Sequence, residues 1–258
     1  MELYLIRHGQ SANNILQNRD QRLPDPPLTD LGQDQAATVA QHLANATNVE
    51  YLVRTILQSA ERESAQGYGI TKLYCSAMYR AMQTAKPIGE ALGIAPEIWL
   101  DVHESGGIYR KKDEEIINYP GKTRSEMLTE FPNYILPDKI TETGWWYGGQ
   151  EDWPLCHGRA IRTARYLYDQ ANSDERIAIV SHGGFIDVLI KALLHILPAP
   201  HAYFHLYNTS ITRVDFAKTG RHVDMVYVNR VNHLSPELMD GGLSCKSLST
   251  HLLPDKLV

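Results

Sequence analysis

Two histidines stand where runs that read as β-strand break into glycine. Arg7-His8-Gly9 follows "LYLI", and His182-Gly183-Gly184 follows "RIAIVS". A third junction of this kind, Ser76 to Arg80 ("SAMYR"), follows "KLYC". A neutral imidazole, with an unperturbed pKa of about 6.5, is a competent nucleophile toward phosphorus near neutral pH. Phosphoryl transfer otherwise asks for positioning and for positive charge around three non-bridging oxygens. The planar arginine fork matches phosphate better than a lysine does. The departing oxygen needs a proton, which a carboxyl group kept neutral by its surroundings supplies. Taken singly these residues mean little. His-Gly-Gly after a strand is usually a tight turn, and Arg80 on the first turn of a helix reads as a solvated cation. Their value depends on whether the fold brings them together.

The elements that must do so are legible from pattern. Residues 2–7 read as a short buried strand. A turn marked by Pro26-Pro27 leads to an N-cap at Thr29 or Asp30 and a helix with Ala36, Val39, Ala40 and Leu43 on one face. Residues 71–77 read as a second strand, 78–93 as a helix ending near Gly93, and 96–104 as a third strand. A helix is expected within 48–70, another over 159–171, a β-branched strand over 176–184 and a helix over 185–196. Two alternating strands, 210–217 and 224–230, suggest a hairpin across "KTGRH". Strand alternating with helix predicts an α/β fold, a three-layer sandwich with a mostly parallel central sheet and helices on both faces. Sites in such sheets lie at the carboxyl ends of the strands, so the three junctions are expected to converge on one edge.

Residues 105–155 interrupt the pattern. Their glycines, prolines and adjacent Trp145-Trp146 do not resemble a sheet element, and they are expected to form a cap inserted in a single domain spanning 1–258. The segment from 231 to 258 reads as a polar C-terminal tail that wraps the domain or forms a subunit contact, as in a homodimer.

Composition narrows the classes of partner. The chain has 258 residues, 43% hydrophobic and 21% charged, with a net charge of −5. That balance suits one globular domain with ample core and gives no general attraction to nucleic acid or anionic membrane. An anionic substrate must therefore be drawn by a local cluster of cations. Cys75, Cys156 and Cys245 are few and scattered, which favours a reducing compartment. "FIDVLIKALLHIL" is too short to span a bilayer and carries Asp187 and Lys191. With Met1 followed at once by the first strand, no signal peptide is expected, and the cytoplasm is the expected location. His157 beside Cys156 lacks zinc-ligand spacing, and no metal or cofactor is expected. "DGGLSCKS" departs from a phosphate-binding loop, with cysteine before Lys246.

Taken in order, "LIRHGQSANN", "PLTDLGQDQA", "YCSAMYRAMQTA", the glutamate of "LDVHESGG", and "IVSHGGF" resemble the signature of the histidine phosphatase superfamily, in its phosphoglycerate-mutase-like branch. The matching blocks run from residue 3 to about 214. The resemblance implies that His8 is a nucleophile that becomes phosphohistidine and that Glu104 is the proton donor. It implies a phosphate pocket of Arg7, Asn14, Arg80 and His182, with the amide of Gly183 as a further donor. Thr29 and Gly32 are expected to be structural, Glu151 and Arg159 a buried supporting pair, and Asn208 and Ser210 scaffold.

The same resemblance implies either of two reactions. Glycolytic mutases of the family follow the acidic residue with Arg-Tyr/His-Tyr-Gly, whereas here Glu104 precedes "SGGIYRKK". The expectation is therefore a metal-independent phosphatase acting on small phosphomonoesters. A phosphomutase and a non-catalytic phosphate-binding scaffold are the alternatives. The acid-phosphatase branch is set aside because Ser11 replaces its second arginine. Arg110, Lys111, Lys112, Lys122 and Arg124 are candidates to meet a second anionic group, and Trp145, Trp146 and Tyr147 to stack on the substrate. The opposing reading makes those aromatics the cap's own core and those cations a solvated face.

Overall fold

The computed structural model describes residues 1–46, 67–112, 115–197, 202–220 and 222–239. The helix expected within 48–70 lies almost wholly outside these residues, as do the tail beyond 239 and the "DGGLSCKS" segment. In chain order the elements are β1 (Glu2–Arg7), α1 (Asp30–Asn45), β2 (Lys72–Cys75), α2 (Tyr79–Leu92), β3 (Glu97–Ile98), β4 (Tyr109–Lys112), β5 (Glu115–Asn118), α3 (Arg124–Glu130), α4 (Trp153–Asp169), β6 (Arg176–Ser181), α5 (Gly183–Leu193), β7 (Ile211–Phe216) and β8 (Val223–Arg230).

Six strands form one sheet in the order β3-β2-β6-β1-β7-β8. β3, β2, β6 and β1 pair in parallel, and β7 is antiparallel to both β1 and β8. Side chains alternate across the pleat, so each strand feeds two cores. Tyr4, Ile6, Leu73 and Val180 meet Val39 and Leu43 of α1 and Met82 and Ile88 of α2. Leu3, Leu5, Ile177 and Ile179 meet Ala160 and Leu167 of α4 and Phe185 and Leu189 of α5. This is the predicted α/β architecture with helices on both faces.

The parallel register puts three strand ends side by side. Arg7 pairs with Ser181 and Cys75 with Val180. The next backbone bonds, His8 N–H to Ser181 O (2.9 Å) and Ser76 N–H to Val180 O (3.0 Å), carry the alignment one residue further.

Four sequence expectations change. The strand expected over 96–104 is limited to Glu97–Ile98 and gives way to a 3₁₀ turn at Leu100–Val102. Arg159 takes the carbonyls of Asp101 and His103, which a longer ladder would have needed. α4 begins at Trp153, not 159, because Asp152 caps Leu155 N–H (2.8 Å) and Pro154 fits the first turn. α5 begins at Gly183, directly after the strand ends at Ser181, since the glycines open the helix. The 105–155 segment does contain sheet: β4 and β5 pair antiparallel. Its α3 and following loop add Met127, Phe131, Tyr134, Ile140 and Trp145 to the α1/α2 core.

The loop after β1 is clamped onto the start of α1. Thr29 caps α1 through Gly32 N–H (3.1 Å), and Gln35 accepts Gln10 N–H (2.8 Å). The backbones touch so closely that a Cβ on Gly32 would lie 2.0 Å from the Gln10 carbonyl oxygen. Gly32→Ala is therefore expected to lower unfolding free energy by about 1–3 kcal/mol, the usual cost of overpacking. Urea denaturation checks this, and an unchanged midpoint would refute the clamp.

Candidate active site

His8 lies at the carboxyl end of β1 and is 3% exposed. Its Nδ1 is 2.6 Å from the Gly9 carbonyl oxygen, and Arg80 Nε lies 3.1 Å from its Nε2. A carbonyl only accepts and a guanidinium only donates. Nδ1 therefore carries the proton, and Nε2 presents a lone pair toward Arg80. Burial, then the charges of Arg80 and Arg7, hold the imidazole pKa well below its ordinary value. The ring is neutral at neutral pH.

His182 is fully buried and stands immediately before α5, with its ring centroid 5.1 Å from that of His8. Its Nε2 meets Ser76 Oγ at 2.8 Å, while its Nδ1 has no hydrogen-bond partner among the described residues. Burial first, then Arg80 and His8, keep it neutral as well. Arg7 donates through Nη1 to the Leu206 carbonyl, and its Nε lies in van der Waals reach of a Cβ built on Gly183 (3.4 Å). Two guanidinium groups and two neutral imidazoles are gathered at one end of the sheet, beside the N-terminus of α5.

Glu104 enters from the third side. Its Oε1 accepts Ser105 N–H (2.9 Å) and Phe185 N–H (3.0 Å), while among the described residues Oε2 has only a longer approach from Gly184 N–H, 3.4 Å. A Cβ on Gly184 would lie 2.7 Å from Oε1 and would displace the carboxylate. Arg80 feels the charge of Glu104. Asn14 is placed differently from the others. Its Oδ1 accepts from Ser11 N–H (2.9 Å) and Ser11 Oγ (3.0 Å), closing the loop after β1. That contact commits Oδ1 and leaves Nδ2 as the group with donors to offer.

The arm that carries Glu104 is held by a buried ion pair. Arg159 donates to both oxygens of Glu151, at 2.8 and 2.6 Å, and through Nη1 to the carbonyls of Asp101 (2.7 Å) and His103 (2.9 Å). Its guanidinium also stacks 4.3 Å from the Phe185 ring centre. Burial favours the neutral Glu151 carboxyl, but the Arg159 hydrogen bonds and charge outweigh it and hold the pKa below the usual range. One cation thus fixes both the segment preceding Glu104 and the residue whose amide binds its carboxylate. His103 is drawn inward, packed on Trp146 (4.7 Å) and Trp145 (5.8 Å), and burial lowers its pKa to about 4.

The 105–155 candidates separate into two groups. Trp145 is 5% exposed and belongs to the core, so any influence on a substrate passes through packing. Trp146 is half-buried, donates to Gly149 O (2.9 Å) and covers Gly107 in the loop just after Glu104. Lys122 pairs with Glu130 (2.9 Å), and Arg124 donates to Pro137 O (3.1 Å) and Ile140 O (3.3 Å). These two serve the insertion itself. Arg110 and Lys111 are exposed on β4, with Arg110 3.4 Å from the Asp20 carbonyl on the loop that follows β1.

Sequence reasoning did not single out two residues that touch the cluster. Thr84 accepts Gly9 N–H (3.0 Å), and the Asp25 carboxylate lies 3.7 Å from Arg80, whereas Asn208, read from the sequence as scaffold, donates to His8 O (2.8 Å). Asp25 sits in a proline-rich turn, and only the tertiary fold brings it to α2.

The profile of the histidine phosphatase superfamily (branch 1) matches residues 3–58 and 56–229. Among curated relatives, a probable phosphoglycerate mutase GpmB from Enterobacter sp. is 26% identical over 255 residues, covering 93% of this chain and 98% of that protein. Among solved structures, a phosphoserine phosphatase from Entamoeba histolytica in complex with phosphoserine aligns with TM-score 0.55 and 23% identity, covering 91% of this chain and 99% of that one. A mycobacterial glucosyl-3-phosphoglycerate phosphatase aligns with TM-score 0.53 and 19% identity, covering 89% and 99%. With the family profile extending over nearly the whole described chain, the protein belongs to the histidine phosphatase superfamily.

Proposed function

We propose that the protein is a phosphatase that hydrolyses small phosphomonoesters through a phosphohistidine on His8, in a single domain whose 105–155 segment caps the site. The observation that carries this reading is the His8 ring itself: neutral, with Nδ1–H tied to Gly9 and the Nε2 lone pair presented beside Arg80. An incoming phosphoryl oxygen takes the Arg80 Nε–H from the Nε2 lone pair, and Nε2 attacks phosphorus, forming the N–P bond as the ester P–O bond breaks. The leaving oxygen takes a proton from Glu104, whose less encumbered Oε2 is the oxygen that exchanges it. Water, giving its proton to the same carboxylate, then attacks phosphorus. The N–P bond breaks, and inorganic phosphate and neutral His8 are restored. Arg7, Arg80, Asn14, His182 and the Gly183 amide hold the non-bridging oxygens through both steps, with the charge supplied by the guanidiniums.

Support for hydrolysis over mutation comes from the residues after Glu104, which lack the arginine-aromatic stretch of the glycolytic mutases. Named relatives include both probable mutases and phosphatases, so the assay must score free phosphate against isomerised product. A phosphoglycerate panel giving isomer without phosphate would replace the phosphatase reading with the mutase one.

In the wild type, rapid denaturation during turnover is expected to trap an acid-labile phosphoenzyme. His8→Ala is expected to abolish both the trapped label and turnover, while EDTA leaves the wild-type rate unchanged. Label on serine or aspartate oxygen would refute the scheme. At the cap, Arg110→Ala is expected to lower kcat/KM for 3-phosphoglycerate relative to p-nitrophenyl phosphate by about two- to five-fold, the worth of an exposed charge contact. An unchanged ratio would remove Arg110 from substrate selection.

A further inference from the structure

Arg80 is engaged at all three nitrogens. Nε points to His8 Nε2 at 3.1 Å, Nη2 lies 3.3 Å from Met78 Sδ, and Nη1 faces Asp25 Oδ1 at 3.7 Å. The Asp25 carboxylate has a second tie. Both of its oxygens accept the backbone N–H of Tyr79, at 3.0 and 3.1 Å. Tyr79 is the first residue of α2, and the residue before it, Met78, has no capping side chain. Asp25 therefore supplies, from a different part of the chain, the cap that the helix carrying Arg80 lacks.

We propose that Asp25 is a positioning residue for the phosphoryl-transfer site, holding Arg80 so that its Nε faces His8 Nε2 and its fork is set for the phosphoryl oxygens. The inference rests on the reading of His8 as nucleophile. Geometry gives the reason. An arginine side chain has many rotamers, and a fork that must serve both a nucleophile and a transferring group gains from being fixed beforehand. Asp25 fixes it twice: at the Nη1 end through charge, and at the backbone through the N-terminus of the same helix.

The placement is costly. Burial raises the Asp25 carboxyl to about 6, against the opposing pull of Arg80, the Tyr79 amide and Lys122. A group with its folded pKa raised contributes stability that is fully present below its unfolded value and is lost as pH rises through about 6. At neutral pH the ionised Asp25 is therefore no aid to folding by this route. Its place beside Arg80 fits a role in the site. The neighbouring contacts are consistent with a firm frame, since Lys122 lies over the Tyr79 ring (4.3 Å) and pairs with Glu130.

A double-mutant cycle with p-nitrophenyl phosphate tests the proposal, with thermal unfolding recorded for each variant. Asp25→Asn is expected to lower kcat by about ten-fold or more, with KM changed less than about three-fold. In an Arg80→Ala background the same substitution is expected to change kcat by less than about three-fold, because its route of action has been removed. Asp25→Glu, which keeps the charge but moves the carboxylate outward, is expected to lose less than Asn and serves if the Asn variant does not fold. Equal losses in both backgrounds, wild-type kcat in folded Asp25→Asn, or, where only Asp25→Glu folds, wild-type kcat in that variant, would overturn the proposal while leaving the His8 mechanism standing. A wild type that forms no phosphoenzyme would overturn both.

Discussion

The site depends on one contact: the His8 ring suspended between the Gly9 carbonyl and the Arg80 guanidinium. A proton on Nε2 would place an imidazolium against Arg80 with Arg7 close by. At an effective dielectric of about 20, like charges about 4 Å apart repel by about 4 kcal/mol. Burial disfavours the charged ring further. The neutral form wins, and the Gly9 carbonyl decides which nitrogen keeps its hydrogen. The same cations that would bind a phosphoryl group therefore also keep the imidazole unprotonated. This has a thermodynamic counterpart. With its folded pKa depressed, His8 contributes fully to stability above its unfolded value of about 6.5 and loses that contribution as pH falls below it.

Much of the surrounding chain maintains that contact. The β1–β6 register sets His8 beside Ser181, and the Gly9–Gly32 approach binds its loop to α1. Glu104 depends on a separate support, in which Glu151 and Arg159 tie the 101–103 backbone to Phe185. Such a buried pair gives little net stability over well-packed apolar residues, so its value here lies in placement. His8 and Glu104 thus rest on different helices and different halves of the chain.

The sequence was most informative where one local rule governed. β1, α1 and the end of α2 at Gly93, with φ +68°, follow from apolar runs, an N-cap threonine and a left-handed glycine. The three strand ends could be placed on one edge because parallel pairing allows little else. It was least informative where tertiary contacts took over. β3 is short because Arg159 claims the carbonyls beyond it, and the β4–β5 hairpin lies in a segment whose glycines masked its pattern. Trp145 and Trp146 read equally as platform or core, and burial separates them into one core residue and one brace. Asp25 carried no local signal at all. Its significance exists only because the turn at Pro26-Pro27 returns to the uncapped start of α2.

The site turns on the protonation state of one ring. Nitrogen-15 NMR of selectively labelled histidine, assigned with His8→Ala, reads it directly in the free protein at neutral pH. The structure predicts that Nδ1 of His8 is protonated and Nε2 is bare, with no conversion to imidazolium until well below the ordinary histidine range. A resonance showing imidazolium at neutral pH, or hydrogen on Nε2, would contradict it.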